Sequence, residues 1–119
     1  MSSADTKALI ATAIEQVWRD VPALRQLNLV VRLELPARGD EAVWRVALPD
    51  KDISRDPGAD SRLNVTVPRA FFNALAGDPK ARLPDWVEAY HHGHVKVTGE
   101  PAVVKLLGNV IGRQLARAR

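Results

Sequence analysis

From residue 28 onward the chain is built of short runs in which apolar and polar residues alternate with a period of two. In residues 28–35, Leu29, Val31, Leu33 and Leu35 fall on one side, with Arg32 and Glu34 on the other. Residues 42–48 set Ala42, Trp44, Val46 and Leu48 against Val43, Arg45 and Ala47, and residues 62–67 set Leu63, Val65 and Val67 against Asn64 and Thr66. Successive strand side chains point to opposite faces, so each run is a strand with one face to bury. A sheet of such strands is covered by helices on one face and meets water on the other. Pro36 and Gly39-Asp40 between the first two runs predict an antiparallel hairpin. The long crossovers of a doubly wound parallel sheet are missing.

The remaining segments supply the helices. Ser2 or Ser3 can cap a first helix with Asp5 in its first turn. Its apolar stripe is Ile10, Ile14, Val17, Trp18 and Val21, and Pro22 marks its end. Residues 49–60 are a polar loop with one short edge strand around Ile53. The four Asp residues there (Asp50, Asp52, Asp56 and Asp60) do not have calcium-loop spacing, and no glutamate closes the set. Asn64-Val-Thr66 matches a glycosylation sequon by chance. Pro68 starts a short helix with Phe71, Phe72 and Leu75 that ends at Gly77. Pro84 and Asp85 start another with Trp86, Val87, Ala89 and Tyr90 that ends at Gly93.

The closing segment is a strand, a glycine turn and a long amphipathic helix. Val95 and Val97 oppose His94, Lys96 and Thr98. Gly99 supplies the turn, and Pro101 suits the first helical position because its missing N–H has no partner there. Val103, Val104, Leu106, Leu107, Val110, Ile111 and Leu115 then form one wide apolar face. That face either closes a core or walls a pocket. Gly108 and Gly112 each cost the helix about 1 kcal/mol against Ala, which predicts a close approach there by a ligand or another helix.

Charge sharpens the picture of this helix. The chain of 119 residues carries a formal net charge of +3. Residues 1–100 hold 13 basic and 14 acidic side chains, so the excess comes from Lys105, Arg113, Arg117 and Arg119 at the end. Cations near a helix C-terminus complement its dipole. A basic amphipathic helix can also touch an anionic membrane surface through Lys105, Arg113 and Arg117. With 46% hydrophobic and 26% charged residues, 1–119 reads as one folded domain. There is no cysteine, no segment like a signal peptide and no apolar run near the ~20 residues of a membrane span. The expected location is the cytoplasm.

Little in the sequence suggests catalysis. Ser2, Ser3, Ser54 and Ser61 lie in predicted termini or loops, outside any nucleophile-elbow pattern. Phosphate-cradling and dinucleotide glycine motifs are missing. The carboxylates Asp40-Glu41 and Asp50/Asp52 fall in turns. His91, His92 and His94 straddle a helix end, where solvation and the helix dipole account for them better than a metal does. Trp18, Trp44, Phe71 and Trp86 all sit on apolar faces, whereas a nucleic-acid surface would interleave exposed aromatics with a basic stripe. No enzyme activity, metal, cofactor or nucleic-acid partner is therefore expected.

The second half resembles the sterol carrier protein 2 (sterol-transfer) domain family. The resemblance lies in the strand Arg62-Leu-Asn-Val-Thr-Val67, the helix ending Leu75-Ala-Gly77, the helix at 85–92, and Gly93-His-Val-Lys-Val-Thr-Gly99 feeding Val104-Lys-Leu-Leu107. Gly93, Lys96, Gly99, Glu100, Lys105 and Leu106 sit at the family's closing positions, and the match spans about residues 28–115. It implies an α+β fold with a mostly antiparallel five-stranded sheet, an apolar tunnel between sheet and helices that holds lipid, and no catalytic residues. Two departures stand out. Glu100-Pro101 replaces the usual Asp or Asn, which re-caps the last helix. The Ala-Arg-Ala-Arg end is not a Ser-Lys-Leu address and suggests a bacterial-style stand-alone member. The expected tunnel residues are Phe71, Phe72, Leu75, Trp86, Tyr90, Leu106, Leu107, Val110 and Ile111. The expected ligand is a sterol, fatty acyl chain or isoprenoid. The alternative is an accessory module with a solid interior that supports a partner enzyme.

Overall fold

The computed structural model describes residues 3–39, 42–55 and 59–117. Ser2, Asp40, Glu41, residues 56–58 and Arg119, which figure in the sequence reading, lie outside the described residues. In chain order the elements are α1 (Ser3–Asp20), a 3-10 helix (Pro22–Gln26), β1 (Leu29–Glu34), β2 (Val43–Leu48), β3 (Asp52–Ser54), β4 (Leu63–Thr66), α2 (Arg69–Ala76), α3 (Leu83–His91), β5 (Lys96–Gly99) and α4 (Pro101–Arg117). The expected order holds, with one addition. Pro22 ends α1 and at the same time opens the 3-10 turn, where its fixed φ fits and its missing N–H costs nothing.

One five-stranded sheet runs β3-β2-β1-β4-β5. Three of its pairs are antiparallel and the central β1–β4 pair is parallel. The fold is thus α+β with a mostly antiparallel sheet. Register sorts the faces as the alternation requires. Leu33 lies opposite Trp44 and Val65, Val31 opposite Val46 and Leu63, and Val46 opposite Ile53, all on the inner face. The outer face is polar and brings Arg32 directly opposite Arg45. Like charges facing each other across strands are unfavourable, and here each has its own carboxylate. Arg32 Nε donates to Glu34 at 3.0 Å, while Arg45 donates to Asp60 through Nε (3.0 Å) and Nη2 (2.6 Å). The Arg45 bonds also hold the β3–β4 connection against the sheet.

The glycines that bracket β5 have different jobs. Gly93 takes φ +82 where the chain leaves α3. Gly99 takes φ +142, and a Cβ there would lie 2.5 Å from the Arg62 carbonyl oxygen and 2.9 Å from Leu63 Cα. Only glycine lets β5 come this close to β4. The next residue completes the junction. Glu100 N–H donates to the Arg62 carbonyl at 3.0 Å, and Arg62 Nε and Nη2 donate to Glu100 Oε2 at 3.1 and 3.0 Å. The Glu100 carbonyl in turn accepts from Val103 and Val104 N–H, both at 3.0 Å, and so starts α4. Glu100 therefore opens the helix with its backbone and anchors it to β4 with its side chain.

A second junction ties α1 to α3. Asp20, the last residue of α1, accepts from Arg82 Nη2 at 2.7 Å and from the Leu83 N–H at 2.8 Å, so it satisfies the first orphan donor of α3 from another element. The Arg82 guanidinium and the Leu83 N–H hold the Asp20 carboxyl below its ordinary value of 3.8.

Candidate functional site

The apolar interior falls into two clusters. The larger joins α1, α2, α3 and the inner face of β1–β3 around Ile10, Leu33, Trp44, Val46 and Phe72. The smaller joins Leu29, Leu63 and Val103 where α4 meets the sheet. Val31, Val65 and Val97 pack against both. Val103 is the single buried residue of α4, with Val104 and Leu107 packed partly buried beside it, so this 17-residue helix is anchored through its first two turns.

Beneath it lies an apolar cavity of about 250 Å³, open to solvent along one side and lined by twenty residues, every one apolar. α1 contributes Ile10, Ala13, Ile14, Val17 and Trp18, the 3-10 segment Leu24, the residue after it Leu27, and α4 Leu107 and Ile111. The inner face of the sheet forms the floor. Eleven of the twenty, Val31 and Val65 at the sheet centre among them, remain only half-buried. They would be fully covered in a solid core, so the interior leaves apolar surface unfilled. No lining side chain is ionisable or nucleophilic. Among the lining residues, Trp86 has its indole nitrogen satisfied: Nε1 donates to Gln16 Oε1 at 3.0 Å.

The structure divides the residues expected to hold lipid. Phe72, Trp86, Leu107 and Ile111 line the cavity. Half-buried Phe71 instead stacks on His94, with centroids 4.5 Å apart and planes 13° apart, and Leu75 is half-buried outside the cavity. Tyr90 and Leu106 are 49% and 46% exposed. Val110 belongs to a neighbouring cleft. Gly108 and Gly112 face open space, with nothing within 4 Å of an added Cβ, so no other helix approaches them. Sequence reasoning missed the α1 wall and the floor of the sheet. Their apolar stripes are visible in the sequence, but a stripe facing a void and one facing a core have the same period.

Charged groups cluster at two places. Over Trp18 sit Arg25, 5.5 Å from the ring centroid, and Lys51, 5.7 Å from it. Both pair with Glu15, Lys51 Nζ at 2.6 Å and Arg25 Nη2 at 3.5 Å. Lys51, by hydrogen bond and charge, and then Arg25 hold the Glu15 carboxyl below its ordinary range. The second place is a cleft of about 490 Å³ between Val21, Pro22 and Ala23 on one side and Val110, Arg113, Gln114 and Arg117 on the other. Lys105, grouped with these arginines in the sequence reading, is exposed on a different side of α4, about 80–120° round the helix from them at ~100° per residue.

His91, His92 and His94 are exposed. Among the described residues no group of three His, Cys, Asp or Glu could hold a metal ion. No described helix is long and apolar enough to cross a membrane.

No family model matches the sequence, and no curated protein does. Solved structures do match it. A solution structure of palmitated SCP2L2 from Aedes aegypti superposes with a TM-score of 0.56 at 21% identity, over 84% of this chain and 91% of that one. The crystal structure of sterol carrier protein 2 like 2 from Aedes aegypti gives the same TM-score and identity over 88% and 98%. A UbiJ-SCP2 ubiquinone synthesis protein gives 0.49 at 17% identity over 88% and 96%. The two Aedes aegypti superpositions show that the chain has the sterol carrier protein 2 fold.

Proposed function

We propose that the protein binds the apolar part of a lipid in the cavity between the sheet, α1 and α4, and carries it without chemistry on it. The observation that supports this is the lining: twenty apolar residues around about 250 Å³, with apolar surface left uncovered. Water finds no partners in such a space, whereas a hydrocarbon chain does. Each methylene buried contributes about 0.8 kcal/mol before ordering costs. A void of this size also forfeits packing that a ligand restores. An accessory module needs a solid interior instead, and the uncovered inner face of β1 and β4 favours the lipid reading. The Aedes aegypti neighbour described as palmitated fits an acyl chain as one such ligand.

The experiment is direct. Purified protein is incubated with a fluorescent fatty acid and analysed by native mass spectrometry and by displacement with unlabelled lipids. The expected result is a one-to-one complex that Ile14→Trp, which places a ring in the cavity, abolishes. A parent protein that takes up no lipid would overturn the proposal.

A further inference from the structure

The size and shape of the cavity bear on which lipids it takes. We infer that it fits a single unbranched hydrocarbon chain, buries about ten carbons of it, and excludes sterols. This rests on the proposal that the cavity binds lipid. A dry apolar cavity of about 150 Å³ accepts one benzene ring, so each carbon needs about 25 Å³. On that scale the cavity of about 250 Å³ accommodates about ten carbons. A steroid nucleus, with about seventeen carbons in fused rings, needs about 425 Å³.

Length points the same way. Leu29, Val31 and Leu33 line the cavity along β1, and Leu63, Val65 and Val67 line it along β4 and just beyond. Each row covers about 13 Å of strand. A zigzag chain with C–C bonds of about 1.5 Å advances about 1.25 Å per carbon, so about ten carbons span one row. The volume spread over at least that length leaves a mean cross-section of about 19 Å² or less. One extended chain fills about 20 Å² on the same scale. Two large rings in the wall are also held in place. Trp86 is fixed by its hydrogen bond to buried Gln16. Arg25 and Lys51 lie over buried Trp18, and Glu15 ties them together. Neither ring turns aside for a wider ligand without breaking these contacts. Because one side is open to solvent, a longer chain still binds, with its surplus carbons left in water.

A chain-length series on the full chain tests this. Saturated carboxylates from hexanoate to hexadecanoate, and cholesterol, are titrated against the emission of Trp18 and Trp86, which line the cavity. Affinity should rise about fourfold per methylene up to about ten carbons. From there to hexadecanoate it should change by less than about twofold in all, and cholesterol should not bind. Ile14→Ala removes three carbons from the wall, so the break should move to about thirteen carbons. Leu106→Ala, outside the cavity, should leave it in place. Affinity that keeps climbing to hexadecanoate would overturn this inference alone, as would a break that Ile14→Ala does not move. Cholesterol bound one to one would mean that α4 swings out to admit a wider body, and would overturn it too. No uptake of any carboxylate or of cholesterol would overturn the cavity reading and this inference with it.

Discussion

Trp86 Nε1 donates to Gln16 Oε1 at 3.0 Å, and this bond sets the orientation of the one polar-tipped ring in α3 that reaches the cavity. Gln16 is itself buried, and its amide nitrogen donates to the carbonyls of Ala76 (3.2 Å), the last residue of α2, and Asp78 (3.4 Å) just after it. One side chain of α1 thereby fixes the positions of α2 and α3. It also lets Trp86 present its apolar face to the cavity while its N–H stays satisfied.

Replacing Gln16 with Leu tests this arrangement. The substitution preserves approximate volume but strands the Trp86 N–H and the Ala76 carbonyl in a buried site. Leaving such groups unpaired costs about 1–3 kcal/mol. The expected loss of stability is of that size in urea denaturation followed by circular dichroism, together with a shift in tryptophan emission as the Trp86 ring is released. A variant as stable as the parent would mean that the network merely decorates packing that holds without it.

The sheet was largely legible in the sequence because alternation is a local signal. Leu29, Val31 and Leu33 announce an inner face whatever lies over them, and the single register that buries them is the one observed. The parallel β1–β4 pair could not be read this way, because the direction of pairing depends on where the 55–62 connection runs. The cavity was legible only in part. Leu107 and Ile111 were expected to line it and do, but Leu106 and Tyr90 lie on the flanks of their helices, and a one-residue difference in facing falls below what periodicity resolves. The Gln16 network gave no signal, since a lone glutamine on an apolar stripe has no partner until the fold brings one 60 residues away.

Two glycines that look alike in sequence should respond in opposite ways to alanine. Gly99→Ala adds a Cβ 2.5 Å from the Arg62 carbonyl oxygen, at a φ of +142 that side chains rarely adopt. The clash is with backbone, so β5 must separate from β4, at a cost of about 2–4 kcal/mol. Gly108→Ala meets open space in an exposed helix and should stabilise by about 0.5–1 kcal/mol. Thermal melts of the two variants check both signs, and a stabilised Gly99→Ala would contradict the close β4–β5 approach.

Asp20 gives the fold an acid-sensitive joint. Its folded carboxyl is held below 3.8 by Arg82 and then by the Leu83 N–H, so it contributes stability at and above that pH and loses the contribution as pH falls through the lowered value. Asp20→Ala should therefore cost about 1–2 kcal/mol at pH 7 through the lost cap and ion pair. The gap between variant and parent should persist down to about pH 4 and close in stronger acid. Urea titrations at several pH values read this directly. A gap independent of pH down to 2 would place the effect of the substitution in packing rather than in the charge.

Val31 distinguishes a void from a solid core by stability alone. It lies on the inner face of the central strand, between Val46 and Leu63, yet it stays half-buried because the cavity lies above it. In a close-packed interior Val31→Phe overpacks and costs about 1–3 kcal/mol. Over a cavity of about 250 Å³ the ring has somewhere to go, so stability should stay within about 1 kcal/mol of the parent. Lipid uptake should fall at the same time, because the ring occupies the space the chain needs. Val30→Phe, one residue away and on the polar outer face, should leave uptake intact. Val31→Phe that melts early and Val30→Phe that does not would describe a filled core, and the cavity would then have no room for a ligand.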